Sequence, residues 1–157
     1  MNQPSSNSTP GRIAGIDYGT VRIGVALSDA RQTIASPHEN YTRRGEDADA
    51  RWFRQLVAET GVRRFVVGLP VHMSGEESQK SLEARRFGQW LGQVTGLPVE
   101  FFDERLTTAE AERFLQDAQL TKKQRKARLD KLAAQIMLDA YLQSGAGGQQ
   151  DLGSLDD

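Results

Sequence analysis

Gly11-Arg-Ile-Ala-Gly-Ile-Asp-Tyr-Gly-Thr-Val-Arg-Ile-Gly-Val-Ala-Leu-Ser28 sets two short apolar runs on either side of an acid and a glycine turn. Arg12 to Asp17 and Arg22 to Leu27 read as β-strands, and the link Tyr18-Gly19-Thr20 is short enough to fold them into a hairpin. Asp17 then stands at the tip of the first strand, held on rigid backbone at the rim of a core. Alone, such an acid caps a turn. Joined by other acids, it serves metal or phosphate chemistry.

The remaining segments decide what surrounds it. Ile34 to Tyr41 is a weaker strand that Pro37 confines to a sheet edge. A helix over Asp47 to Thr60 places Trp52, Phe53, Leu56 and Val57 on one face and stops at Gly61. Arg64 to Leu69 is a continuous apolar run of the kind buried on both faces of a sheet. After the loop Pro70 to Gly75, a second helix reaches about Thr95 with Phe87, Trp90, Leu91 and Val94 in register. Gly96-Leu-Pro98 breaks it, and Val99 to Phe102 makes a fifth strand.

Thr107-Thr-Ala-Glu110 has the capping-box pattern and opens a further helix through about Asp117. The final helix, about Leu129 to Leu142, turns Leu129, Leu132, Ala133, Ile136 and Ala140 inward, and places Asp130 in its first turn. The order β-β-β-α-β-α-β-α-α predicts a mixed sheet flanked by helices, antiparallel at first and then extended by parallel crossovers.

Composition narrows the chemistry. A chain of 157 residues, 38% hydrophobic and 26% charged, builds one core, so we expect a single domain over 11–143 between loose polar ends at 1–10 and 144–157. There is no cysteine, which excludes disulfides and thiolate sites, and two histidines are too few for a histidine-built zinc centre. Any metal must sit on oxygen. No segment approaches a membrane span, and the first ten residues lack the basic and apolar regions of a signal peptide, so a cytoplasmic location is expected.

The net charge of −1 averages over unlike regions. The final segment carries Asp151, Asp156 and Asp157 without a base; taking those three acids from 21 leaves 18 against 20 basic residues. Positive charge is concentrated in Thr121 to Lys131, six bases around the single acid Asp130. Such a run is commonly a solvated helix face, yet it also suits flanking phosphates through Lys122, Lys123, Arg125 and Lys126.

A crossover that makes the fifth strand parallel to the first brings Asp103-Glu104 to the edge that holds Asp17. Each acid has a plain structural reading: turn cap for Asp17 or Asp103, surface pair for Glu104, helix-dipole partner for Asp130. Asp17, Glu104 and Asp130 nevertheless come from three distant segments. Carboxylates gathered this way take up protons or bind cations. A pair of magnesium or manganese ions on oxygen ligands suits phosphodiester hydrolysis. Arg22 and Arg105 are further candidates for phosphate contact, since the guanidinium fork matches phosphate oxygens. Gly19, Gly68 and Gly75 read as turn residues, and Trp52 and Trp90 as core.

Four motifs now resemble one family: Gly15-Ile-Asp-Tyr-Gly-Thr-Val-Arg-Ile-Gly-Val-Ala26, Val66-Val-Gly-Leu-Pro70 with Ser74-Gly75, Asp103-Glu-Arg-Leu-Thr-Thr108, and Lys122-Lys with Asp130-Lys-Leu-Ala-Ala134. In this order, over nearly the whole expected domain, they resemble the YqgF family, also called RuvX. The resemblance implies a ribonuclease H-like fold with sheet order 3-2-1-4-5. It implies a nuclease assigned to 5′-end maturation of pre-16S ribosomal RNA, earlier proposed as a Holliday junction resolvase. It also places Asp17, Glu104 and Asp130 at the family's acidic positions. The polar ends and the long basic approach to Asp130 depart from many relatives.

Three functions follow as alternatives: a metal-dependent nuclease on structured RNA such as pre-rRNA, a resolvase of branched DNA, and a non-catalytic ribosome-assembly module that binds nucleic acid. Ribosome-assembly proteins are expected partners of the first and third, and the chain is expected to be a monomer or a weak homodimer. Asp-x-Gly-Thr is also similar to the first phosphate motif of the actin and sugar-kinase ATPases, but those need two lobes and this chain has length for one.

Overall fold

Alternation of large and small residues gives the first hairpin two unlike faces. In β1 (Arg12–Asp17) and β2 (Arg22–Ser28), Ala14, Ile16, Ile23, Val25 and Leu27 point to one side. Ile13, Gly15, Gly24 and Ala26 occupy the alternate positions. In this computed structural model, which describes residues 11–70, 78–104 and 121–144 and leaves aside the side chains of 122–131, each face meets a different set of helices.

The other elements are β3 (Ala35–Thr42), α1 (Glu46–Thr60), β4 (Val62–Leu69), α2 (Gln79–Thr95), β5 (Val99–Asp103) and α3 (Lys122–Gln143). The five strands form one sheet in the order β3-β2-β1-β4-β5. β1 pairs antiparallel with β2, and β2 with β3, while β4 and β5 are parallel extensions beyond β1. The expected mixed sheet, its order and the edge position of the proline strand are all present. Val25 faces Glu39 and Ala26 faces Pro37, so His38 is the extra residue of a bulge, and the proline without an N–H lies on the outermost strand.

The larger core lies between the sheet and α1 and α2. Phe53 and Leu56 of α1 and Ala84, Phe87 and Leu91 of α2 pack on Ile16, Val25, Phe65 and Val67. Phe53 is wholly buried and meets Phe65, Phe87 and Trp90 edge-on at centroid distances of 6.3, 5.8 and 6.4 Å. Trp52 and Trp90 belong to this core, as their spacing predicts. Gly61 and Gly96 end α1 and α2 in the left-handed conformation, where glycine has no Cβ to clash.

The opposite face is thinner. There α3 lies against β1 closely enough that a Cβ on Gly15 would sit 2.8 Å from Leu138 Cβ and 3.3 Å from the Ala134 carbonyl. Gln135 Nε2 donates to Ala35 O at 3.2 Å, and Tyr141 Oη donates to Glu100 Oε2 at 2.6 Å, fixing the helix to strands on both sides of β1.

Two expectations for this helix need correction. It begins at Lys122 rather than near Leu129, so the basic run is part of it and Asp130 is its ninth residue, well past the first turn. Among its described side chains, Leu132, Ala134, Met137, Leu138, Ala140 and Tyr141 are buried, whereas Ala133 and Ile136 are only half-buried. The buried face is offset from the expected one because Ala134 and Leu138 meet the bare strip at Gly15, which brings Met137 and Tyr141 in beside them. The capping box at Thr107 to Glu110 and the polar ends lie outside the described residues.

One buried charge ties the end of β3 to the start of α1. Asp49, on the first turn of α1, is wholly buried. Its Oδ1 accepts from Tyr41 Oη at 2.6 Å and from the Arg44 amide at 2.9 Å, and its Oδ2 from Arg43 Nε at 3.3 Å. Burial alone would raise its pKa, but these donors and the Arg43 charge outweigh it and hold the carboxyl below its ordinary value. Burial and the Asp49 charge push the Tyr41 phenol up to about 12.

A carboxyl with a depressed folded pKa stabilises the fold fully above its ordinary unfolded value. That stability is lost as pH falls through the folded value. Asp49→Ala should therefore lower unfolding free energy by about 3 kcal/mol at neutral pH, as for other broken buried pairs. The deficit should shrink as pH is taken below about 4; denaturant unfolding across that range measures both.

Candidate active site

Strand alternation puts Asp17 on the α3 side of the sheet, two residues beyond Gly15. Register then builds a row around it. Asp17 lies opposite Gly24, and Gly24 opposite Asn40. On the other side Ile16 pairs with Val67, so Gly68 follows next to Asp17. Asp17 is thus flanked on both neighbouring strands by residues without side chains.

Glu104 uses this bare ground. It directly follows β5, with β4 between it and β1, and its side chain lies across Gly68. A Cβ on Gly68 would sit 2.8 Å from Glu104 Oε1 and 3.0 Å from Cδ. Gly68 is therefore no turn glycine: it lies inside β4 with ordinary φ, and what it supplies is the space that lets one carboxylate reach another. Gly19 does belong to the hairpin turn, where a Cβ would run into the Arg22 carbonyl oxygen.

The two acids are hydrogen-bonded to each other. Burial raises the Glu104 pKa, and the charge of Asp17, its hydrogen bond and the charge of Asp103 raise it further, to about 8. Asp17 and Glu104 line a cavity of about 440 Å³ with Arg22, Gly68, Lys80 and Glu83 among its walls. A smaller hollow of about 170 Å³ continues from Asp17 over Gly24 to Asn40.

Of the residues singled out from sequence, Asp17, Glu104 and Arg22 come together. Asp130 lies on α3, four residues before the Ala134 that packs on Gly15; its side chain, and those of Lys122, Lys123, Arg125 and Lys126, lie outside the described set. Arg105 does too. Among the described residues, no three His, Cys, Asp or Glu side chains are gathered as a metal would need. Lys80, Glu83 and Asn40 were not legible beforehand. Only Asn40 had a usable signal, its register opposite Gly24 once the β3 bulge is placed.

A five-stranded 3-2-1-4-5 sheet with acids at the carboxyl ends of its first and fifth strands is a ribonuclease H-like fold. The fold compares with T. thermophilus RuvC bound to a Holliday junction (TM-score 0.51, 12% identity, 86% of this chain and 96% of that one). It compares equally with the yeast mitochondrial Holliday junction resolvase (TM-score 0.51, 10% identity, 90% and 81%). Sequence is more specific. The profile of the RuvX family, described as Holliday junction resolvase, matches residues 11–144, and the chain belongs to that family.

Relatives named as candidate pre-16S rRNA nucleases include one from Rhodopirellula baltica, 44% identical over 85% of this chain and 78% of its own length. Another, from Syntrophomonas wolfei, is 41% identical over 88% and 98%. Membership makes the chain a hydrolase of phosphodiester bonds.

The contact at Gly68 gives a sharp test. A methyl group there displaces the Glu104 carboxyl, which is the movable partner, and leaves the strand backbone in place. Gly68→Ala should cut nuclease activity on the order of 10²-fold, as small misplacements of reacting groups do. Its denaturation midpoint should stay close to wild type; activity and unfolding measured on the same preparation separate the two effects.

Proposed function

We propose that this RuvX-family protein is a divalent-metal-dependent nuclease that cleaves structured RNA, in the maturation of the 5′ end of pre-16S rRNA. The observation that carries the site is the meeting of Asp17 and Glu104 over Gly68. Two acids from separated strands repel one another, and a hard cation between them would relieve that repulsion. Their oxygen donors fit magnesium or manganese, and Asp130 is assigned as the third ligand of a two-ion centre. A bound divalent cation supplies Lewis-acid stabilisation of the charge that builds on the cleaved phosphate.

The chain's own residues do the rest. Glu104 and Asp17 fix where the cation sits, because both stand on strand ends packed into the core. Arg22 and Lys80, from β2 and α2, line the same cavity and would hold phosphate oxygens from two sides. The basic segment Lys122, Lys123, Arg125 and Lys126, together with Arg105, is assigned to the flanking backbone. A cytoplasmic location and contact with ribosome-assembly proteins accord with this reading.

RNA is preferred to branched DNA because the relatives at 36–44% identity are named for pre-16S rRNA. The family description keeps junction resolution as the second reading. Resolution requires two sites related by symmetry, hence a dimer.

Purified protein should cleave an RNA spanning the 5′ leader of pre-16S rRNA with magnesium or manganese, and leave a four-way DNA junction intact. Asp17→Asn and Glu104→Gln should each fold and lose at least about 10²-fold in rate. Junction cleavage in place of RNA cleavage would support the second reading. Undiminished cleavage by both variants would remove the site, and no cleavage by wild type would leave a binding module.

The raised pKa of Glu104 also sets a pH dependence. Below about 8, a cation must displace a proton from Glu104. Apparent magnesium affinity should rise by up to about tenfold per pH unit from 6 and level off above about 8. In Glu104→Gln that slope should be absent; calorimetric titration reads it without substrate.

A further inference from the structure

Tyr18 follows Asp17 but leaves the sheet on the other side. Its ring packs on Phe87 of α2 at a centroid distance of 5.0 Å, in the core of the α1 and α2 face. There it borders a second cavity of about 320 Å³, whose walls include Arg43, Glu46, Glu83, Arg86 and Trp90. Tyr18 and Glu83 line this cavity and the active-site cavity alike, so the two adjoin. Consecutive residues of one strand end therefore serve two chambers.

The chemistry of the second chamber is unlike that of the first. Arg43 is spent internally: it pairs with Asp49, donates to Tyr18 Oη at 3.1 Å and lies 5.4 Å over the Tyr18 ring. That leaves Arg86 against Glu46 and Glu83 among the walls, a charge balance that disfavours a phosphate. Tyr18 and Phe87 are covered by each other and by Arg43, so the half-buried Trp90, tilted against Phe87 at 5.4 Å, supplies the aromatic wall. The volume is at the low end for a small-molecule site and suits one ring system rather than a length of chain. An aromatic wall with carboxylate acceptors matches a nucleobase, which stacks by its faces and is read along its Watson–Crick edge.

We propose that this cavity receives one unpaired base of the substrate, adjacent to the cleaved phosphate, and that Glu83 selects guanine. The position of that phosphate rests on the nuclease reading above; the base site itself does not. Guanine presents two neighbouring donors, N1–H and the N2 amino group, to the two oxygens of a carboxylate. Adenine and cytosine present one amino group beside an acceptor, and uracil one imide between two carbonyls, which a carboxylate repels. Glu83 Oε2 has a long bond from Gln79 Nε2 at 3.4 Å, an exposed contact that a base edge would replace.

The chain has two tryptophans, and Trp52 is stacked on Tyr41 at 4.3 Å within the core. Trp52→Phe therefore leaves Trp90 as the reporter. In EDTA, so that no cleavage occurs, this protein is titrated with a short single-stranded oligouridylate carrying one central guanosine, adenosine or abasic site. The guanosine strand should quench Trp90 and bind about tenfold more tightly than the abasic strand, and Glu83→Gln should erase the preference for guanosine over adenosine.

Equal affinity for the guanosine and abasic strands, or a guanosine preference that survives Glu83→Gln, overturns the proposal. If discrimination holds while metal-dependent cleavage is absent, the nuclease reading fails and the base site stands. If cleavage proceeds without discrimination, the base site alone falls.

Discussion

Two carboxylates can meet in this protein only because the strand between them carries no side chain at the point of crossing. Glu104 reaches Asp17 over Gly68, and their hydrogen bond forms where burial and like charge both oppose ionisation. Everything that makes the site is subordinate to that crossing. The parallel order of β1, β4 and β5 puts both acids at one sheet edge, and the alternation of β1 and β4 puts Asp17 and Gly68 on one face. A Cβ at position 68 would separate the pair while leaving the sheet intact.

The same economy of side chains shapes the whole α3 face. Gly15, Gly24, Ala26 and Gly68 leave a shallow strip of backbone, and α3 settles into it with Ala134 and Leu138 against Gly15. The other face carries the large residues and the aromatic cluster around Phe53. Division of labour follows from this asymmetry. Burial on the α1 and α2 side is extensive enough to hold the sheet, which leaves the thin side open for polar groups at its rim.

Much of this was legible in the chain. The hairpin, the edge position of the proline strand, both amphipathic helices and the gathering of Asp17 with Glu104 follow from periodicity and chain direction, because each depends on local pattern or on one topological rule. The start of α3 did not. Lys122 to Arg128 has no apolar period, so nothing in the pattern announces a helix, although lysine, arginine and glutamine are good helix formers. The role of Gly68 was hidden for a different reason. A glycine between apolar residues signals a turn or a close approach equally well, and only the three-dimensional neighbour tells which. Asp49 was also invisible, since an acid in the first turn of a helix has a sufficient local explanation in the helix dipole.

That buried acid bears on the site more than its distance suggests. An apolar residue in place of a buried ion pair often gives comparable stability, so stability does not by itself account for a wholly buried carboxylate. What an apolar residue cannot do is orient a guanidinium. Asp49 holds Arg43 from below, Arg43 donates to the Tyr18 hydroxyl and covers its ring, and Tyr18 is bonded to Asp17 through the backbone. The β1 turn is thus braced from the α1 side by a charged chain whose geometry is fixed at each link. With Gly19 pressed against the Arg22 carbonyl, the strand end has little freedom left, and the carboxylate it carries is held where Glu104 can reach it.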